Sequence, residues 1–167
     1  FFDNVKVPVE NMIGKEGEGF KIALSTLDGG RIGIASQALG IAQASLNASI
    51  NYSKERIQFG KPISKNQAIQ FKIADMAMEI ESARLLIRQA AWNKDQKHNY
   101  GHLASMAKIY ASEVAMRAST ECVQIHGGFG FMRESGIERL MRDAKITQIY
   151  EGTSEIQRVV IARSLLK

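Results

Sequence analysis

The clearest periodicity in the chain runs from Gln67 to Asn93, where Ile69, Ile73, Met76, Ile80, Ala83, Ile87 and Ala90 recur at alternating spacings of four and three. A helix turns by about 100° per residue, so this rhythm lines all seven side chains along one stripe and predicts a bundle seam. Pro62, with Ser64 or Asn66 as candidate N-caps, marks the start, and the polar run from Asn93 to Asn99 marks the end. Upstream, Ile32 to Tyr52 carries Ala35, Leu39, Ala42 and Leu46 on one face and Ile34, Ala38 and Ile41 beside it, which predicts a mostly buried helix. Its small residues Ala35, Ala38, Ala42, Ala44 and Ser45 let a neighbouring helix approach closely. A third helix is predicted from about Tyr100 to His126, with Leu103, Ala107, Tyr110, Val114, Ala118, Cys122 and Ile125 on one side and Gly127-Gly128 as its stop. Two shorter helices follow, one with Ile137, Leu140, Met141 and Ala144 inward, the other with Ile156, Val159 and Val160 inward and Thr153 or Ser154 as its cap.

The beginning of the chain follows a different rule. Val5, Val7 and Val9 alternate with Lys6, Pro8 and Glu10, an extended or strand-like pattern closed by Gly14. Residues 1–14 therefore read as the tail end of something missing, and residues 15–167 as a helical domain, beginning with a helix from about Gly17 to Asp28. Long helices joined by short connections predict an all-α fold, an antiparallel four-helix bundle with extra short C-terminal helices. Such a scaffold implies no activity, so function has to come from the loops.

Composition narrows the classes. Among 167 residues, 45% are hydrophobic and 23% charged, which is globular and not disordered. No segment approaches about 20 uninterrupted apolar residues, and Phe1 to Glu10 lacks the basic and apolar regions of a secretion signal, so no membrane association is expected. Cys122 is the only cysteine, which gives no support to an oxidising compartment. The net charge of +5 is dispersed, with acids among the bases as in Lys54-Glu55-Arg56, so no nucleic-acid face is expected.

Four loci carry candidate chemistry. His98 and His102 have the i, i+4 spacing of a zinc pair, but Asn99-Tyr100-Gly101 supplies no acid between them and no third ligand is evident, so no metal is expected. Gln124-Ile125-His126-Gly127-Gly128-Phe129-Gly130-Phe131 follows a helix instead of opening one, which excludes a P-loop or Rossmann fingerprint. It reads equally as a glycine C-cap with an aromatic plug or as bare backbone on which an extended ligand lies. Arg56-Ile57-Gln58-Phe59-Gly60-Lys61-Pro62-Ile63 is by spacing a tight connection, yet arginine suits bidentate phosphate contact and phenylalanine stacks on flat rings. In Ile149-Tyr150-Glu151-Gly152-Thr153-Ser154-Glu155, Glu155 reads as a dipole-favoured helix start, whereas Glu151 sits on a glycine-flanked loop from which a carboxylate can be aimed into a cavity.

Together these loops resemble the C-terminal helical domain of the flavin-dependent acyl-CoA dehydrogenases, in particular their short-chain, butyryl-CoA type. The matching stretches are Asn11-Met12-Ile13-Gly14 with Gly17-Glu18-Gly19-Phe20, then Arg56 to Ile63, Gln67 to Met76, Gln124 to Gly130, and Ile149 to Thr153. They cover nearly the whole chain in order. The resemblance implies that a thioester substrate loses its Cα proton to Glu151 and a hydride from Cβ to FAD, giving a trans-2-enoyl-CoA, with the backbone N–H of Glu151 helping to hold the thioester carbonyl. Some relatives carry the base on the long helix, at the place where this chain has Gly30, which supports the assignment to Glu151. By the same resemblance Asp28, Arg31 and Gly152 meet the CoA substrate; Arg56, Phe59, Gln67, Gln124, Ile125, His126, Gly127 and Gly128 hold the adenosine diphosphate part of FAD, from a neighbouring subunit; and Thr153 and Glu155 make a further flavin contact.

The resemblance further implies a homo-oligomer built as a dimer of dimers, electron-transfer flavoprotein as the electron acceptor, and β-oxidation as the setting, in the cytoplasm of a bacterium or the mitochondrial matrix of a eukaryote. The resemblance makes residues 1–14 the tail of an upstream β domain; the upstream helical and β-barrel domains that hold the flavin ring in that family are absent from this sequence, so the fragment alone is expected to be inactive. Two rivals stand beside this reading: an acyl-CoA oxidase that passes electrons to oxygen, and a DNA-associated flavoprotein relative, which calls for a concentrated basic face.

Overall fold

The computed structural model describes residues 1–167 and is helical almost throughout. Three long helices make the body: α1 (Gly19–Glu55), α2 (Gln67–Asp95) and α3 (Gly101–His126). A single turn, α4 (Gly128–Phe131), and two shorter helices, α5 (Ile137–Thr147) and α6 (Ser154–Leu165), complete the all-α architecture.

The two helices expected on either side of Gly29-Gly30 are one helix of 37 residues, about 55 Å long at 1.5 Å per residue. Each interior glycine costs a helix about 1 kcal/mol relative to alanine. Immediately after the glycines the helix is tied within itself and to α3: Arg31 donates to Asp28 Oδ1 at 2.7 Å and to Ser105 Oγ of α3 at 3.3 Å.

Helix α1 packs most extensively on α3, and small residues form the contact. Ala35, Ala38, Ala42, Ser45 and Ser49 of α1 and Ala104, Ala107, Ala111, Ala115 and Ser112 of α3 have no exposed surface, so the two backbones approach closely. Ala44, counted with the small residues from its position, faces solvent. The α2 seam is as predicted, with Met76, Ile80, Ala83, Ile87 and Ala90 buried in the common core.

Three local regions refine or overturn the expectations. Residues 1–14 form no strand: only a 3-10 turn at Val9–Asn11 appears, and Val5, Val7 and Val9 are exposed, because a strand needs a neighbour to take its hydrogen bonds. The Arg56–Ile63 connection is a small hairpin, β1 (Ile57–Gln58) antiparallel to β2 (Lys61–Pro62), closed by Phe59 and Gly60 at φ 51° and 76°, the left-handed pair that a two-residue hairpin turn requires. In α6, Ile156 and Val159 are 48% and 41% exposed while Ser154 and Gln157 are buried. That helix is docked by its polar first turn, and its apolar face is left uncovered.

Candidate active site

The loop between α5 and α6 is fastened at both ends. Ser154 N–H donates to the Gln148 carbonyl at 3.0 Å, and the Tyr150 hydroxyl donates to Gln37 Oε1 of α1 at 2.5 Å. Between these ties the chain passes through two successive left-handed residues, Glu151 at φ 55° and Gly152 at φ 90°. Glycine takes that conformation freely; for glutamate it costs on the order of 1–2 kcal/mol, and strain of this kind persists only where surrounding contacts impose it.

The turn lays the Glu151 carboxylate against the bare face of α1. A Cβ on Gly30 would stand 2.5 Å from Glu151 Oε2 and 2.9 Å from its Cδ, so any side chain at position 30 and this carboxylate exclude each other. Glu151 Oε2 is buried and accepts no hydrogen bond within the chain, which is costly for a carboxylate oxygen unless something else meets it. The Glu151 N–H likewise donates to no backbone carbonyl.

Beneath the turn lies a polar cluster. Lys108 of α3, fully buried, donates to the Gly152 carbonyl at 2.6 Å. Gln157 of α6, also fully buried, donates from Nε2 to the Gly152 carbonyl at 2.9 Å and to the Glu151 carbonyl at 3.2 Å. Burial and the nearby Arg31 guanidinium lower the Lys108 pKa to about 8, against the opposing pull of Glu151 and Glu155. Arg31 is itself buried between Asp28 and Ser105. Lys108 thus lies between two groups: Arg31 with its partner Asp28 on one side, and the Glu151–Gly152 turn on the other. Thr153 caps α6 by accepting from Ile156 N–H at 3.5 Å, and Glu155 is exposed in the first turn. The Glu155 carboxyl is held below its ordinary pKa by its own backbone N–H, the Thr153 hydroxyl, and Arg158 and Lys145.

A second site lies at the other end of α1. A cleft of about 510 Å³ is lined by Tyr52, Arg56, Gln58, Ile63, Ile125, His126, Gly127, Gly128 and Phe129. The His126 ring stacks on Tyr52 with centroids 4.2 Å apart, and Tyr52 stacks in turn with Phe129 at 6.1 Å. His126 Nδ1 lies 2.7 Å from the Cys122 carbonyl, which fixes the proton on that nitrogen. Gly127, at φ 61°, turns the chain out of α3 and leaves bare backbone at the cleft edge. The structure thus gathers Arg56, Ile125, His126, Gly127 and Gly128. It leaves Phe59, 98% exposed on the hairpin tip, and the exposed Gln67 and Gln124 outside the cleft. His98 packs edge-on against Trp92, and no three His, Cys, Asp or Glu side chains group as metal ligands.

Tyr52, Lys108 and Gln157 were not foreseen. Each lies within a helix, where an aromatic reads as core and a lysine or glutamine as a solvated face; only the fold shows what each one touches.

The fold and these sites define a class of protein: a helical bundle domain that presents one loop carboxylate over a glycine-bare helix and, a helix length away, an aromatic cleft edged by arginine. Comparison with known proteins carries this to a family. The family model described as "Acyl-CoA dehydrogenase, C-terminal domain" matches residues 17–166. The human protein named "Short-chain specific acyl-CoA dehydrogenase, mitochondrial" is 55% identical over 166 residues, covering 99% of this chain and 40% of the human one. The structure of butyryl-CoA dehydrogenase from Megasphaera elsdenii superposes with a TM-score of 0.98 at 58% identity, over 99% of this chain and 43% of that one. A chain in a structure described as the electron transferring flavoprotein of Acidaminococcus fermentans gives a TM-score of 0.98 at 57% identity, over 99% of this chain and 44% of that one. The chain belongs to the acyl-CoA dehydrogenase family, and it spans less than half the length of these relatives.

Proposed function

We propose that this chain is the base-bearing domain of a flavin-dependent dehydrogenase that converts a short-chain acyl-CoA to the trans-2-enoyl-CoA. One observation carries the reading: the Glu151 carboxylate, delivered by a left-handed turn, lies over Gly30 with a buried oxygen that nothing in the chain satisfies. Such an oxygen can take a proton from a Cα held beside it. The uncommitted Glu151 N–H can donate to the thioester carbonyl, whose acidifying pull makes that proton removable. Gly152 is the neighbour of Glu151 in the turn, and Arg31, paired with Asp28, follows Gly30 on α1; on this reading all three would meet the substrate.

The residues of the far cleft fit the adenosine diphosphate part of FAD: a guanidinium for phosphate in Arg56, stacked rings at Tyr52 and His126, and open backbone at Gly127 and Gly128. Phe59, Gln67 and Gln124 lie outside this cleft and are assigned to the cofactor on the family resemblance alone, and Thr153 and Glu155 would add contacts at the Glu151 end. When bound, FAD supplies the two-electron acceptor for the hydrogen leaving Cβ. Residues 30 and 52 are 22 positions apart on one helix, about 33 Å along its axis, so the two sites of one chain face different regions of space. That separation supports a homo-oligomer, a dimer of dimers, in which one subunit's cleft completes its neighbour's site. Electron-transfer flavoprotein is the proposed acceptor.

Glu151→Gln in the full-length enzyme tests the reading. Flavin content and visible spectrum should be retained while kcat on butyryl-CoA falls about 10²–10⁴-fold, the range for loss of a positioned base. Turnover within tenfold of the unaltered enzyme would refute it. Residues 1–167 expressed alone should neither retain FAD nor reduce a dye acceptor with butyryl-CoA.

A further inference from the structure

We propose that Lys108 is a positioning residue for the base: its buried ammonium ties down the Gly152 carbonyl and thereby holds the Glu151–Gly152 turn in the conformation that aims the carboxylate at Gly30. The inference rests on the assignment of the base to Glu151.

The geometry makes the case. Two consecutive carbonyls, those of Glu151 and Gly152, point into the protein and converge on just two donors, Lys108 Nζ and Gln157 Nε2. A trans peptide holds its N–H opposite its C=O, so anchoring these carbonyls inward turns the N–H groups of Gly152 and Thr153 away from the cluster. The turn is strained at Glu151, and neither residue bonds to a helix ladder. Lys108 and Gln157 are therefore what opposes relaxation of φ151 to its ordinary negative range.

Lysine at this position is otherwise hard to explain. It has no exposed surface, and Ala104, Ser105, Ala111 and Ser112 around it on α3 are equally buried. A methionine or leucine would fill the volume without the cost of enclosing an ammonium. The charged groups that face it are Arg31 of α1, the loop residue Glu151 and Glu155 of α6. Arg31 is in turn paired with Asp28. The lysine thus gives the site a second cation close to the base.

The test uses the full-length, flavin-loaded enzyme with Lys108→Met and Lys108→Gln, and Glu151→Gln as reference. Lys108→Met should keep its flavin spectrum and lower kcat on butyryl-CoA ten- to a hundredfold with KM changed less than threefold. Lys108→Gln keeps a donor for the Gly152 carbonyl but no charge. It should recover most of kcat, and if the methionine variant does not fold, a Lys108→Gln enzyme that keeps its flavin but is as slow as Glu151→Gln overturns the inference. A kcat within twofold of the unaltered enzyme for Lys108→Met, or no recovery of kcat in Lys108→Gln, overturns the role of Lys108. If Glu151→Gln also turns over normally, the base assignment itself has failed; if it is silent while the lysine variants are normal, only the present inference has.

Discussion

At the scale of single residues, the site depends on what is missing at position 30 as much as on what is present at 151. A methyl group on Gly30 would occupy the space of the Glu151 carboxylate, while alanine is the better helix former by about 1 kcal/mol. Gly30→Ala should therefore separate activity from stability: kcat should drop at least tenfold while the melting temperature holds or rises, as measured by steady-state turnover and calorimetry on the full-length enzyme. Equal losses in both would mean that the glycine serves packing alone. Lys108 makes a prediction of opposite character. Its folded pKa, about 8, lies below the ordinary 10.5, so between those values the unfolded chain holds the proton that the folded chain has released. Stability contributed by this group accordingly rises with pH across that window, and is lost as pH falls through about 8. The difference in melting temperature between unaltered enzyme and Lys108→Met should change sign-consistently, moving in favour of the lysine between pH 8 and pH 10. A flat difference would show that its titration is not linked to folding.

At the scale of elements, the α1–α3 contact controls everything that touches both helices. Ala38 and Ala107 have no exposed surface, and the closeness they permit carries Arg31 to Ser105 and brings Lys108 beneath the loop that faces Gly30. Enlarging one of them forces the helices apart. Ala38→Leu should destabilise by about 1–3 kcal/mol, as overpacked cores do, read as a lower thermal midpoint. It should also cost activity out of proportion to its distance from Glu151, because the carboxylate belongs to one wall of the site and Gly30 to the other. The hairpin behaves differently: its turn is local, and Phe59 on its tip contributes nothing to this chain's core.

At the scale of the whole molecule, one long helix separates the two sites by about 33 Å, and the proposed assembly joins them across subunits. Hybrid enzymes test this directly. Arg56→Ala and Glu151→Gln subunits, each inactive or flavin-poor alone, should regain activity when refolded or co-expressed together, because one of the two mixed sites then contains both intact residues. If each site were built from one chain, every mixed site would carry a defect and no activity would return.

The helices themselves were legible from the sequence because hydrophobic burial acts on periodic faces: the α2 seam and the α3 stripe predicted both elements within two residues of their observed ends. The position of Glu151 outside the helices, on a glycine-flanked loop, was legible too, whereas its proposed role as base came from the family resemblance of that loop. Other features were not. That Gly29-Gly30 leaves α1 unbroken depends on contacts with residues far along the chain, as does the inward side of α6. The buried Lys108 carries no sequence mark, because a charge within a helix is solvated or enclosed according to what packs over it. Local chemistry is written residue by residue and can be read that way. The convergence of Gly30, Lys108, Glu151 and Gln157 is a property of three packed elements and a loop, and only long-range packing brought them within reach of one another.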